Sequence, residues 1–157
     1  MLAMPTLTSE HLDFFMDRIS RLTPDSKPRW GRMDAKTMIR HLRRALEISL
    51  GEVEVSDRSI PILRKIIWVS FFRVFTIWPP SRARLPGYWL PPANEAFEVE
   101  KGLLISALDR FVRRLDEMPE RQAIHTILGP LTLSSWSRAH GVHFHHHFRQ
   151  FRLLSRV

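Results

Sequence analysis

Histidine occupies three successive core positions of one predicted helix. The helical stripe that begins at Leu133 and Trp136 continues through His140, His143 and His147. A buried imidazole whose nitrogens lack partners costs about 1–3 kcal/mol, so three of them on an inward face require something that satisfies them together. A shared metal ion would do so, and a structural or pH-sensitive histidine cluster is the alternative.

The spacing of the histidines leaves two chelating pairs open within this helix. His143 and His147 are four residues apart, with Cβ atoms about 5–6 Å from each other, whereas His143 and His146 are three residues apart. His145 lies roughly 160° from His143 around the helix and is expected to face solvent. A third ligand must come from another helix, and His41 is the best candidate because it is a lone histidine on the inward face of predicted helix two. Three neutral ligands would leave an open coordination position, as in catalytic metal sites.

Helical periodicity and capping residues predict four helices. They run from about Ser9 to Leu22, Ala35 to Leu50, Glu95 to Leu115 and Leu133 to Ser155, with Thr8, Asp34, Asn94 and Thr132 as N-caps. No segment shows a convincing strand pattern, and residues 116–130 are predicted to be a loop in which His125 has a loop or capping role. At 157 residues, the chain is predicted to be one all-α domain, 1–157.

A strongly apolar segment, Ile60 to Trp78, separates predicted helices two and three. Its longest uncharged stretch, Ile66 to Phe72, has seven residues, far short of the about 20 that a membrane-spanning helix needs. The segment therefore predicts an additional helix and no transmembrane span. Weak contact with a membrane surface is an alternative use for it.

The composition limits the chemistry and the partners. The sequence contains no cysteine, so a metal must be held by histidine, carboxylate or water. The net charge is +8, but the basic residues are spread over every segment rather than collected in one stripe, so a nucleic-acid partner is not favoured. Residues 1–5 lack the pattern of a signal peptide, which favours a cytoplasmic location.

Three stretches of the chain carry a resemblance to a known superfamily. They are PRWGRM (28–33) leading to MIRHL (38–42), HTILGPLT (125–132) with Trp136 following, and HFHHHFRQF (143–151), of which the last is the most specific. In these stretches the chain resembles the DinB/YfiT-like superfamily of metal-binding four-helix bundles, and most closely a bacterial subgroup of unknown function. Thr126, Leu128 and Gly141 depart from the subgroup's pattern, which leaves the histidines intact but changes the expected pocket shape.

The resemblance implies a fold, a metal site and a chemistry. The fold would be an up-down-down-up four-helix bundle, here with the additional apolar helix between helices two and three. Of the open ligand sets, the resemblance selects His41, His143 and His147, which would hold one divalent transition metal, nickel or zinc. Because the superfamily includes metal-dependent hydrolases and thiol S-transferases, the expected activity is transfer of a small-molecule thiol to an electrophile, or hydrolysis of a small substrate. A low-molecular-weight thiol is the implied cofactor. A homodimer is an assembly that the sequence leaves open.

The catalytic residue remains unassigned, since cysteine is absent and no Ser-His-Asp order stands out. Candidates for the pocket around the metal are His140, His146, Arg149 and Gln150. Two other functions stay open at this point. One is a non-catalytic metal-binding or stress-response protein, and the other is a basic membrane-surface protein that uses the 60–78 segment and its arginines.

Overall fold

The computed structural model describes residues 6–59, 61 and 95–154. A 3₁₀ turn, Ser9–His11, leads into the described helices and strands, which are α1 (Leu12–Ser20), α2 (Ala35–Leu50), α3 (Phe97–Glu117), β1 (Gln122–His125), β2 (Gly129–Thr132) and α4 (Leu133–Gln150). The predicted additional helix in the 60–78 segment lies outside the described residues, Pro61 excepted. No helix in the described part is long and apolar enough to cross a membrane.

The predicted all-α four-helix bundle is wrong, because an antiparallel β-hairpin precedes the last helix. β1 and β2 pair from Gln122 opposite Thr132 to His125 opposite Gly129. Each strand has only four residues, and Pro130 lies inside β2, where it removes one backbone donor. Proline is tolerated on an edge strand, and both strands of a two-stranded sheet are edges. Strands this short, one of them containing proline, give no periodic signal, so the sequence pattern of this stretch indicates a loop.

The turn between the two strands is closed by a histidine. His125 Nδ1 accepts hydrogen bonds from the backbone N–H groups of Ile127 and Leu128, both at 3.1 Å. Gly129 follows with a φ of 70°, in the left-handed region that lets the chain return into β2. His125 therefore has the predicted capping role.

Helix α2 begins and ends where the sequence predicts. Asp34 accepts a hydrogen bond from the backbone N–H of Thr37 at 2.7 Å, and Gly51 ends the helix with a φ of 75°. Because a side-chain cap and a left-handed glycine are both local signals, the boundaries of α2 could be read from the sequence.

Helix α4 begins at Leu133 as predicted but ends at Gln150, before the predicted end near Ser155. Thr132 caps its start, since its hydroxyl accepts from the backbone N–H of Ser135. At the other end Arg152 takes a φ of 60°, and the backbone N–H of Leu153 donates back to the carbonyl of Phe148 at 2.8 Å. This is a Schellman ending in which arginine holds the position that glycine usually takes, so the sequence gives no stop signal there.

Helices α2 and α4, which carry the candidate ligands, pack against other helices through the sides that carry no candidate ligand. On α4, Phe144 and Phe148 are fully buried, and their ring centroids lie 5.6 and 6.1 Å from that of Phe15 on α1. On α2, Arg40 and Arg43 both pair with Glu100 of α3, a carboxylate that is 2% exposed. The helical stripe predicted for α4 omitted the two phenylalanines, so the helix is buried over a wider arc than expected.

Candidate metal centre

Three histidines from two helices meet at one point. Nε2 of His41 on α2 lies 2.7 Å from Nε2 of His143 on α4, and Nε2 of His147 lies 3.2 Å from the same atom. All three ligand nitrogens lie within 4.8 Å of one another. Two nitrogens bound at about 2.0–2.1 Å to one tetrahedral ion are about 3.3 Å apart, so three nitrogens at these separations fit a single transition-metal ion.

The surroundings keep these imidazoles neutral near pH 7. Burial lowers the pKa of His41 to about 4, and the neighbouring His146 contributes further. Burial, His41 and His146 lower the pKa of His147 to about 3, although its hydrogen bond with Gln150 acts in the opposite direction. Burial and the surrounding histidines place the pKa of His143 well below its ordinary value. Neutral imidazole is the form that binds a metal, so the cluster has lone pairs available at physiological pH.

Gln150 connects the cluster to the loop between α1 and α2. Its Oε1 lies 2.8 Å from Nδ1 of His147, and its Nε2 donates to the backbone carbonyl of Trp30 at 2.9 Å. The backbone N–H of Arg29 donates in turn to the carbonyl of Gln150 at 2.7 Å. Gln150, a predicted pocket residue, thus contacts a candidate ligand directly.

The other predicted pocket residues have different surroundings. His146 is half-buried, with its ring centroid 5.1 Å from that of His147 and 5.9 Å from that of Trp30, and its ring is outside the three-histidine cluster. The alternative pair His143 and His146 is therefore not the one that meets His41. Arg149 is half-buried and lies near His145. His145, which the helix geometry predicts to face solvent, is also half-buried.

His140 lies in the core and not in the cluster. It is 1% exposed, and its ring stacks on that of Trp136 with the ring centroids 5.2 Å apart. The ring of Phe111 lies nearly perpendicular to it, with a centroid distance of 4.8 Å. Ser49 donates its hydroxyl hydrogen to the carbonyl of Leu46, so its oxygen accepts from Nε2 of His140 at 2.9 Å. Burial, followed by the nearby His125, lowers the pKa of His140 to about 3. The Ser49 hydroxyl therefore gives Nε2 of His140 a hydrogen-bond partner in the core, which fits the structural role left open by the sequence.

Residue types alone do not predict the backbone partner of Gln150 in this site. Trp30 and Gly31 belong to the first stretch that carried the superfamily resemblance, but nothing in the residue types indicated that the Trp30 carbonyl would hold Gln150. Gly31 has a φ of 81°, and a Cβ at this position would lie 3.1 Å from Nε2 of Gln150. The close approach of the loop to Gln150 therefore depends on glycine.

Comparisons with known proteins give a family but no function. Residues 2–153 match the model of a family described as a protein of unknown function, DUF1569. No curated protein and no solved structure matches the chain.

Proposed function

The chain belongs to the DUF1569 family of proteins of unknown function, and we propose that it binds one divalent transition-metal ion through His41, His143 and His147. The observation that carries the proposal is the convergence of three Nε2 atoms from two helices within 4.8 Å. Imidazole suits both zinc and nickel, so these are the two metals proposed. The absence of cysteine excludes a thiolate site, which agrees with an all-nitrogen ligand set.

We further propose that the metal-bound protein is an enzyme acting on a small molecule. Three neutral protein ligands leave a coordination position open, as in catalytic rather than structural sites. When bound, the ion would act as a Lewis acid that stabilises a small-molecule thiolate or activates water. Thiol transfer to an electrophile is preferred over hydrolysis because of the resemblance to the DinB/YfiT-like superfamily. The reacting thiol must come from a low-molecular-weight cofactor, since the chain has none of its own.

Metal content tests the ligand set. The protein is purified without an immobilised-metal column, loaded with zinc or nickel, desalted and measured by elemental analysis beside His41→Ala and His147→Ala. His145→Ala is the matched control, because His145 lies on the same helix outside the cluster. We expect about one ion per chain in the parent and the control, and a large loss in the two cluster variants. Undiminished metal in both cluster variants, or no binding by the loaded parent, would contradict the proposal.

A substrate panel then tests catalysis. The loaded and chelator-treated proteins are compared for consumption of small thiols with electrophilic partners, and for hydrolysis of esters and amides. Thiol transfer requires metal-dependent loss of both the thiol and the electrophile. Stoichiometric metal without turnover on either panel would instead favour the non-catalytic metal-binding alternative.

A further inference from the structure

The amide of Gln150 can take only one orientation. A backbone carbonyl only accepts hydrogen bonds, so the amide atom 2.9 Å from the Trp30 oxygen must be the NH₂ group. The carbonyl oxygen of the same amide therefore faces Nδ1 of His147 at 2.8 Å. The usual ambiguity between the two amide atoms is removed here by the contact with Trp30.

This orientation sets the tautomer of His147. An amide oxygen is an acceptor, so Nδ1 must carry the hydrogen, and in a neutral imidazole Nε2 then carries the lone pair. Nε2 is the atom that lies 3.2 Å from Nε2 of His143. The nitrogen that faces the other two histidines is thus the one able to bind a cation.

We propose that Gln150 is a positioning residue for the metal centre, and that the loop carrying Trp30 holds it in that role through a backbone carbonyl. The effect on metal affinity rests on the proposed function, whereas the hydrogen bonds of Gln150 and the tautomer of His147 do not. Partners of this kind fix the ring orientation and tautomer of a metal-binding histidine, and their loss typically costs about 10–100-fold in metal affinity. Gln150 is 5% exposed, and both of its amide atoms are used in these two hydrogen bonds.

The loop contacts Gln150 along its backbone as well as its side chain. The Arg29 N–H donates to the Gln150 carbonyl at 2.7 Å, one residue before the carbonyl that accepts from the amide. Gly31 follows directly and leaves room for the amide, since a Cβ there would lie 3.1 Å from Nε2. Three consecutive loop residues, 29–31, therefore hold Gln150, the last residue of α4, in position.

Three variants separate positioning from a structural role. Gln150→Leu removes the acceptor for His147, and Gln150→Glu keeps an acceptor while losing the donor to Trp30. Gln122→Leu is the matched control, a glutamine on the exposed edge of β1. Zinc affinity is measured by titration calorimetry, and the tautomer of His147 in the metal-free protein is measured by ¹⁵N NMR of the imidazole nitrogens.

We expect hydrogen on Nδ1 of His147 in the metal-free parent and in Gln150→Glu. Zinc affinity should fall about 10–100-fold in Gln150→Leu. It should fall by less in Gln150→Glu, which keeps the acceptor for His147 but loses the contact with the Trp30 carbonyl, and it should stay within a few-fold of the parent in Gln122→Leu. A parent with hydrogen on Nε2, or Gln150→Leu with parental affinity and tautomer, would overturn the inference. A parent that has the expected tautomer but binds no zinc would contradict the proposed function and leave the geometric part of the inference supported.

Discussion

Replacing Gly31 with alanine should lower both the stability of the fold and the metal affinity of the proposed site, because this glycine lies where the loop meets Gln150. At a φ of 81°, alanine costs about 1–2 kcal/mol relative to an ordinary backbone conformation. Its Cβ would also lie 3.1 Å from Nε2 of Gln150, so the amide must shift away from Trp30 or from His147. Each hydrogen bond weakened in this way contributes about 0.5–1.5 kcal/mol.

Gly31→Ala should therefore lower the free energy of unfolding by about 2–4 kcal/mol and zinc affinity by about tenfold or more. Stability is measured by urea denaturation of the metal-free protein followed by circular dichroism, and zinc affinity by calorimetry. Gly51→Ala is the matched control, because Gly51 has a φ of 75° and its added Cβ would meet only the end of the Arg121 side chain, at 3.2 Å. It should lose stability without losing affinity. Parental zinc affinity in Gly31→Ala, or an equal loss of affinity in Gly51→Ala, would refute the reasoning.

Three further predictions concern stability. Burial lowers the pKa of His140 to about 3 in the folded state, whereas the pKa is about 6.5 in the unfolded chain. Between these two values the unfolded chain binds more protons than the folded one. The free energy of unfolding should therefore fall as the pH is lowered below about 6.5, by about 1.4 kcal/mol per pH unit for this residue. Urea unfolding at pH 7 and pH 5 should show a shallower loss in His140→Gln, and an unchanged pH dependence would contradict the assignment. Gly102→Ala should raise the free energy of unfolding by about 1 kcal/mol, since Gly102 lies inside α3 with no atom near its missing Cβ; a lower melting temperature would count against it. Glu100→Gln should destabilise by about 3–5 kcal/mol, because it leaves Arg40 and Arg43 without their shared buried carboxylate; an unfolding midpoint equal to that of the parent would show that the ion pairs are not needed.

The parts of the fold that the sequence predicted are those with local signals. Asp34 and Gly51 define α2 at both ends, and Thr132 defines the start of α4. The end of α4 was missed because Arg152 takes a left-handed conformation that residue type does not reveal. The hairpin was missed because a four-residue strand is too short to show a period.

In the candidate site, too, the sequence predicts what depends on local spacing and not what depends on long-range contacts. Helical spacing gave two chelating pairs and a third histidine from α2, and the resemblance chose His41, His143 and His147, the three that lie together. Spacing could not place Gln150 against the Trp30 carbonyl, because that contact joins residues 120 positions apart and uses a backbone atom common to every residue type. Side-chain patterns reveal which helix face is buried, but not which distant carbonyl lies next to it.

The contacts that hold α2 and α4 on their non-ligand sides bear on what removal of the proposed metal would do. Phenylalanine contacts hold α4 against α1, and a buried carboxylate pairs with α2 from α3, so both helices have packing contacts apart from the candidate ligands. In many small metalloproteins the ion supplies the folding free energy and chelators unfold the chain. Here both helices have contacts that do not involve the candidate ligands, so chelation should leave the far-ultraviolet circular dichroism spectrum unchanged. Rebinding should then be fast, because no segment has to refold before the ion can enter.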